Sequence, residues 1–239
     1  MDAYGSTLLV FGLSLAILLL IHRQIAVGWR PNGRALRYVT AFKLSRGVHA
    51  ALLALLGAIA LVRYHDRWPR AFLDPWTGDP VERWIVAFFL AHLVADFVWM
   101  VVGVRAHDTA PRRDLIVHHL LGVVAITAAF ALDTGYAVIA VVLTTEAMPV
   151  ATGLEALGQS LRRGALIRRA RWLRILILLV WRIPLWLLLS AAVIRSLLVG
   201  PRGTTWDLAY AIAAAVLVVL ITLDVHWTRA CWRGLRRPV

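Results

Sequence analysis

The sequence predicts an all-α integral membrane protein of seven transmembrane helices, and three observations predict it. Hydrophobic residues make up 61% of the chain, well above the roughly 45–50% of a soluble domain. They fall into seven runs of 16 to 25 residues, close to the ~20 helical residues that cross a ~30 Å hydrocarbon core. The runs are uniformly apolar rather than alternating, which excludes barrel strands. Basic residues, in turn, gather in alternate connections between the runs.

Taken in order, the first run, Ala3–His22, has no basic residue ahead of it, and Ala26-Val27-Gly28 makes a poor cleavage site. It therefore reads as an inserted helix rather than a signal peptide. The second run is Gly47–Val62, with Arg63 at its end, and the third is Trp84–Val104, opening on an interfacial tryptophan. The fourth, Leu115–Leu132, follows Arg112 and Arg113. The fifth is Ala137–Leu157, the sixth Ile175–Val199 with kink-prone Pro184, and the seventh Leu208–Trp227. No hydrophilic stretch is long enough for a second folded unit. Residues 1–45 are expected to form an N-terminal helix and basic connection, 46–230 a six-helix membrane domain, and 231–239 a basic tail.

The net charge of +13 would suggest nucleic acid in a soluble protein, but here it sits in short connections, and orientation in the bilayer explains it better. The first connection holds Arg23, Arg30, Arg34, Arg37, Lys43 and Arg46, and the third Arg105, Arg112 and Arg113. The fifth holds Arg162, Arg163, Arg168, Arg169, Arg171 and Arg174, and the tail Arg229, Arg233, Arg236 and Arg237. Against these nineteen, the other side has Arg63, Arg67, Arg70, Arg83 and Arg202, largely offset by Asp66, Asp74, Asp79 and Glu82. The asymmetry predicts an outside N-terminus and a cytoplasmic C-terminus. The fifth connection could also meet anionic headgroups. Lys43 is the only lysine, a usage that hints at a GC-rich bacterial genome and so a bacterial inner membrane; in a eukaryote the expectation is an endomembrane such as the endoplasmic reticulum. Cys231, the sole cysteine, excludes intrachain disulfides and cysteine-clustered metal sites.

Ionisable groups inside hydrocarbon are costly and are functional candidates by default. His118 and His119 lie just inside the fourth run, Asp96 and His92 in the third, His49 in the second, Glu146 in the fifth and Arg182 in the sixth. With the predicted orientation these groups occupy the midplane and the cytoplasmic half, matching a pocket open to the cytoplasm. His92 and Asp96 are four apart and share a helix face, where a carboxylate can hold an imidazole tautomer. Adjacent His118 and His119 point about 100° apart, so one is expected to face the pocket and the other a neighbouring helix. A desolvated histidine with a carboxylate partner can serve as general base or as nucleophile towards an acyl group, and His118, His119, Asp96 and Glu146 are the candidate catalytic residues. Arg182, expected to neutralise Glu146 or hold a polar headgroup, joins His49 and His92 as candidate substrate-binding residues. The same residues could instead form an interhelical hydrogen-bonding cluster. Asp224, His226 and His22 are read as solvated end groups.

At these positions the chain resembles the TLC (TRAM–LAG1–CLN8) domain family, over about Arg46 to Arg229. The pieces are S-R-G-V-H-A from Ser45, the aspartate of H-L-V-A-D-F, the pair in I-V-H-H-L-L, Glu146 in T-T-E-A-M-P, W-R-I in the sixth run, and D-V-H-W. The resemblance implies a barrel-like bundle of six helices plus an extra N-terminal helix, enclosing a cavity for a long lipid chain. Ceramide synthases of that family transfer acyl groups from acyl-CoA to a sphingoid base through paired histidines, which map onto His118 and His119. They carry a further aspartate where this chain has Thr145, Glu146 and Pro149, and a glutamate followed by proline is more like the TLC-domain-containing proteins.

Other membrane chemistries fail on residues. A retinal protein needs a lysine in its last span. A diiron hydroxylase needs about eight clustered histidines, whereas His22, His65, His107 and His226 fall at connections or interfaces. An elongase-like pattern needs histidine where Leu115 stands. No cofactor or metal site is expected, and acyl-CoA would enter as a substrate. The leading expectation is a lipid-handling enzyme of the membrane, an acyl-CoA-dependent acyltransferase using histidine, whose partners are membrane lipids. The alternatives are a non-catalytic lipid-binding or membrane-homeostasis protein and a proton-coupled transporter, which would lack the usual paired broken helices.

Overall fold

The computed structural model describes residues 3–29, 37–63, 65, 80–107, 113–133, 135–200 and 202–236. Of the connection charges, Arg30, Arg34, Asp66, Arg67, Arg70, Asp74, Asp79, Arg112 and Arg237 lie outside these residues. The described chain contains no strand and forms nine α-helices: α1 Ala3–Gly28, α2 Tyr38–Arg63, α3 Pro80–His107, α4 Arg113–Leu132, α5 Tyr136–Val142, α6 Met148–Ser160, α7 Gly164–Leu176, α8 Ile183–Val199 and α9 Thr204–Leu235. A 3₁₀ segment, Leu143–Ala147, joins α5 to α6, and a π-helical segment, Ile177–Arg182, joins α7 to α8. Seven continuous helical stretches among the described residues are long and apolar enough to cross a membrane. The protein is thus an all-α, multi-pass integral membrane protein.

Helices outrun the apolar runs that announce them. The second helix starts at Tyr38 rather than Gly47, the sixth stretch at Gly164 rather than Ile175, and α9 continues to Leu235. Helix formation requires only that backbone groups be satisfied, and charged residues extend a helix beyond the hydrocarbon as readily as apolar ones. Three expectations change in consequence. Arg46 belongs to a helix and is buried. Arg171 and Arg174 are not connection charges: both hold Glu155, Arg171 through Nε to Oε1 at 2.9 Å and Arg174 through Nη2 to Oε2, which ties α7 to α6. Arg162, Arg163, Arg168 and Arg169 are exposed, as expected for topogenic or interfacial charge.

Six of the seven spans close into a ring. The second packs on the third, the third on the fourth, the fourth on α9, α9 on α7 and α8, and α7 on α6, which returns to α2. Helix α1 stands outside this ring against α2 and α3, and only 17% of its spanning window is buried, compared with 50% for α3. Apolar burial gives no net drive to association between helices in lipid, so close backbone approach has to supply contact. Small residues provide it on α2: a Cβ on Gly57 would come within 2.8 Å of the Thr144 backbone nitrogen, and one on Gly47 within 3.3 Å of the Pro149 carbonyl. These contacts bring α2 against the stretch that carries Glu146.

Candidate functional site

The two helical irregularities coincide with the ionisable residues of their spans. Pro149 has no N–H to offer the Thr145 carbonyl four residues back, and Arg182 Nη1 donates to that oxygen at 2.8 Å. Pro184 likewise follows the widened turn that ends on Arg182; π turns relieve the clash of a proline ring with the preceding carbonyls. Glu146 therefore sits in a tightened turn and Arg182 in a loosened one, and the freed backbone of the first is satisfied by the side chain of the second.

The residues expected to form one pocket divide into three groups. The first lies at one end of an elongated cavity of about 220 Å³, lined by α3, α4, α5, α8 and α9. His118 and Glu146 line its inner end, with His118 Nε2 3.6 Å from Glu146 Oε1. At this separation the pair makes an ion-pair contact rather than a full hydrogen bond; a carboxylate only accepts, so the contact favours a proton on Nε2, and Nδ1 has no hydrogen-bond partner among the described residues. Both side chains are buried. The walls beyond them are apolar, with Leu93, Ile126, Ala129, Val142 and Leu217 among them, until Ser196, Trp206 and Tyr210 at the far end. From His118 to Leu132 the cavity follows about 21 Å of helix α4, some two-thirds of a ~30 Å hydrocarbon core.

His119, one residue on, takes no part in this cavity. Its Nε2 lies 3.1 Å from Asp96 Oδ2, and its Nδ1 lies 2.7 Å from the Leu115 carbonyl. That carbonyl can only accept, so Nδ1 donates to it while Nε2 faces the carboxylate, and both nitrogens are engaged. Arg46 Nε reaches the same Oδ2 at 2.6 Å. The expected pairing of His92 with Asp96 is looser, at 3.9 Å, because Arg46 and His119 already occupy the oxygen it faces. His49 meets His92 edge-on, with ring centroids 5.7 Å apart. Asp96, His49 and His92 thus stand in this second group, away from the cavity.

The third group centres on Arg182. It does not neutralise Glu146 by direct contact. Its Nε and Nη2 form a fork onto Asp224 at 2.8 and 3.1 Å, and Trp186 Nε1 donates to the same carboxylate at 2.7 Å. Asp224, expected as a solvated end group, is fully buried because α9 runs eleven residues beyond it. His22 is corrected in the same way: it is 1% exposed, bonds Ser45 Oγ through Nδ1 at 2.6 Å and stacks on Trp99 at 3.6 Å. His226 is exposed, as expected.

Sequence reasoning missed Arg46, Asp224 and Trp227. Trp227 packs edge-on against His118 at 5.5 Å, lies under the Arg182 guanidinium and donates to Asp114 at 2.7 Å, so it connects the cavity dyad to the Arg182 group. The signal was available for Arg46, three residues before His49 on the same helix face. The arrangement can orient one imidazole with a free lone pair at the polar end of an apolar cavity. No protein-family model, curated protein or solved structure matches the chain significantly, so the arrangement of these side chains carries the functional reading.

Proposed function

We propose that the protein is a lipid-handling membrane enzyme that transfers an acyl group from acyl-CoA to a lipid acceptor, with His118 as its base or nucleophile and Glu146 as the group that orients it. The observation that carries this reading is the unpartnered Nδ1 of His118 at the end of an apolar cavity, backed on its other nitrogen by a buried carboxylate. A base held by a third group beside an acyl-shaped cavity is the arrangement that acyl transfer needs. With His118 as base, Nδ1 takes the acceptor's proton as the acceptor oxygen or nitrogen attacks the thioester carbon. The C–S bond then breaks, and the departing thiolate receives that proton from the imidazolium. The ring of six spans with a helix outside it supports the TLC-type reading of the fold. A cytoplasmic position for the His118 end, where acyl-CoA would arrive, rests on the basic first, third and fifth connections.

The apolar walls favour a second reading, in which the cavity holds a lipid without turning it over. Mass spectrometry of protein purified in mild detergent, with and without acyl-CoA and a total-lipid extract, separates the two. Release of free CoA together with a new acylated lipid is the expected result. A retained lipid with no CoA release would leave the carrier reading, and stable, lipid-free protein that drives proton flux in liposomes would overturn both.

A further inference from the structure

We infer that His49, His92 and Asp96 form a site for a first-row divalent transition ion such as Zn²⁺, separate from the cavity and fastening α2 to α3. Each of the three offers a ligand atom, and these atoms lie within 4.8 Å of one another. Ligands about 2.0–2.2 Å from a common tetrahedral ion stand roughly 3.3–3.6 Å apart, so the widest separation has to shorten by about an ångström or slightly more, shared between side chains that rotate, for the site to close. Independently of that spacing, His49 and His92 are 1% and 0% exposed; neither ring nitrogen of His92 meets a hydrogen-bond partner among the described residues, and those of His49 have only the Leu18 backbone in approach, outside hydrogen-bond geometry. A buried polar group left unpaired is costly, and here two imidazoles short of partners lie with ring centroids 5.7 Å apart.

Two imidazoles and a carboxylate select ions of the zinc, iron and manganese kind over calcium or magnesium, which prefer oxygen alone. Arg46 Nε and His119 Nε2 both sit on Asp96 Oδ2, so the ion would take the carboxylate through its other oxygen, Oδ1, while these two fix its orientation as outer-shell partners do. His119 is thereby connected to the site, and His119 shares its helix turn with His118. Arg46 also carries a positive charge that opposes a second cation, so it holds the affinity down.

The test uses full-length protein in mild detergent, stripped with EDTA and reloaded with Zn²⁺ or Co²⁺ alone. Wild type is expected to retain about one ion per chain after desalting, as a three-ligand site does, and to show the visible d–d absorption of Co²⁺ with nitrogen ligands. His49→Ala and His92→Ala should lose both signals, whereas His118→Ala, in the cavity, should keep them. Arg46→Gln keeps a donor for Asp96 and removes the charge, and should tighten Co²⁺ binding on the order of tenfold or more. A purely structural role for Arg46 predicts weakening instead. Metal at the desalting background in monodisperse wild type would overturn the site. So would equal loading of the His49 and His92 variants. If those variants fail to fold, the wild-type Co²⁺ spectrum and the direction of the Arg46→Gln change decide alone. None of these readouts depends on catalysis, so the site can fail while acyl transfer stands, and the reverse.

Discussion

His118 and His119 are neighbours on one helix with opposite surroundings. His118 faces an apolar cavity with a free lone pair and one carboxylate behind it, while His119 has both nitrogens engaged and lies beside Arg46 and Asp96. Their rings meet edge-on at 5.5 Å, so proximity is not what separates them. Rotation by about 100° per residue is. The difference teaches that an ionisable residue in a membrane helix is available to a ligand only where a polar atom has been left without a partner beside a cavity. His119 has spent its hydrogen-bonding capacity on α3 and its own helix.

The largest expected effect would break that comparison outright. His118→Gln, which keeps an amide donor for Glu146, should lower acyl-CoA-dependent turnover by about 10²–10⁴-fold, the contribution of a positioned general base, with little change in melting temperature. His119→Ala should retain most turnover while lowering stability by about 1–3 kcal/mol, since it leaves a buried acceptor short of a partner. Paired measurements of CoA release and thermal unfolding in detergent decide this, and equal behaviour of the two variants would remove the distinction.

A somewhat smaller effect concerns the Arg182 group, which resembles His119 in being fully paired. Arg182→Met should destabilise by about 3–5 kcal/mol, because Asp224 is left buried and uncompensated. Adding Asp224→Leu should restore much of that loss, as replacement of a whole buried pair by apolar groups often does. Chemical denaturation of the single and double variants measures the recovery; no recovery would mean that Arg182 acts mainly through Glu146.

Gly57 tests how the dyad is placed. Gly57→Ala would force its Cβ against the Thr144 backbone, costing about 1–3 kcal/mol as overpacking does, and should lower turnover in proportion to the displacement of Glu146 two residues on. Stability and turnover measured on the same preparation should fall together.

The mildest change sharpens the cavity side alone. Ala129 lies about 16 Å along α4 from His118 and lines the same tube. Ala129→Phe should leave short-chain turnover unchanged and shift the retained or transferred acyl chain towards shorter species, read by lipid mass spectrometry. An unaltered chain-length profile would place the lipid elsewhere.

Seven spans, and the residues that make each costly, were legible from apolar run length alone, because hydrocarbon admits only helices of about that length. That only one histidine of the pair would face the pocket was also legible, from helical periodicity. Which one it would be was not, since periodicity gives relative directions and no origin. Helix ends were misjudged at Gly28, Tyr38, Gly164 and Leu235, and Arg46, Arg171, Arg174, Asp224 and His22 each lie in such an extension or close to one. An apolar run marks where lipid is, and a helix ends only where its backbone finds other partners.

By itself, the sequence determined the class of the fold, the number of spans and the short list of groups whose burial demands a reason. The physical cause is that a bilayer penalises each unsatisfied polar atom locally, residue by residue, so the penalty can be read without knowing what packs against what. Only the tertiary structure decided the partners: Glu146 for His118, Arg46 and His119 for Asp96, and Asp224 for Arg182. Those pairings join residues 23 to 50 positions apart across different helices. They depend on how Gly47 and Gly57 let α2 approach the fifth span and on how Pro149 and Pro184 reshape two helices, and both are properties of close packing between spans rather than of any one span.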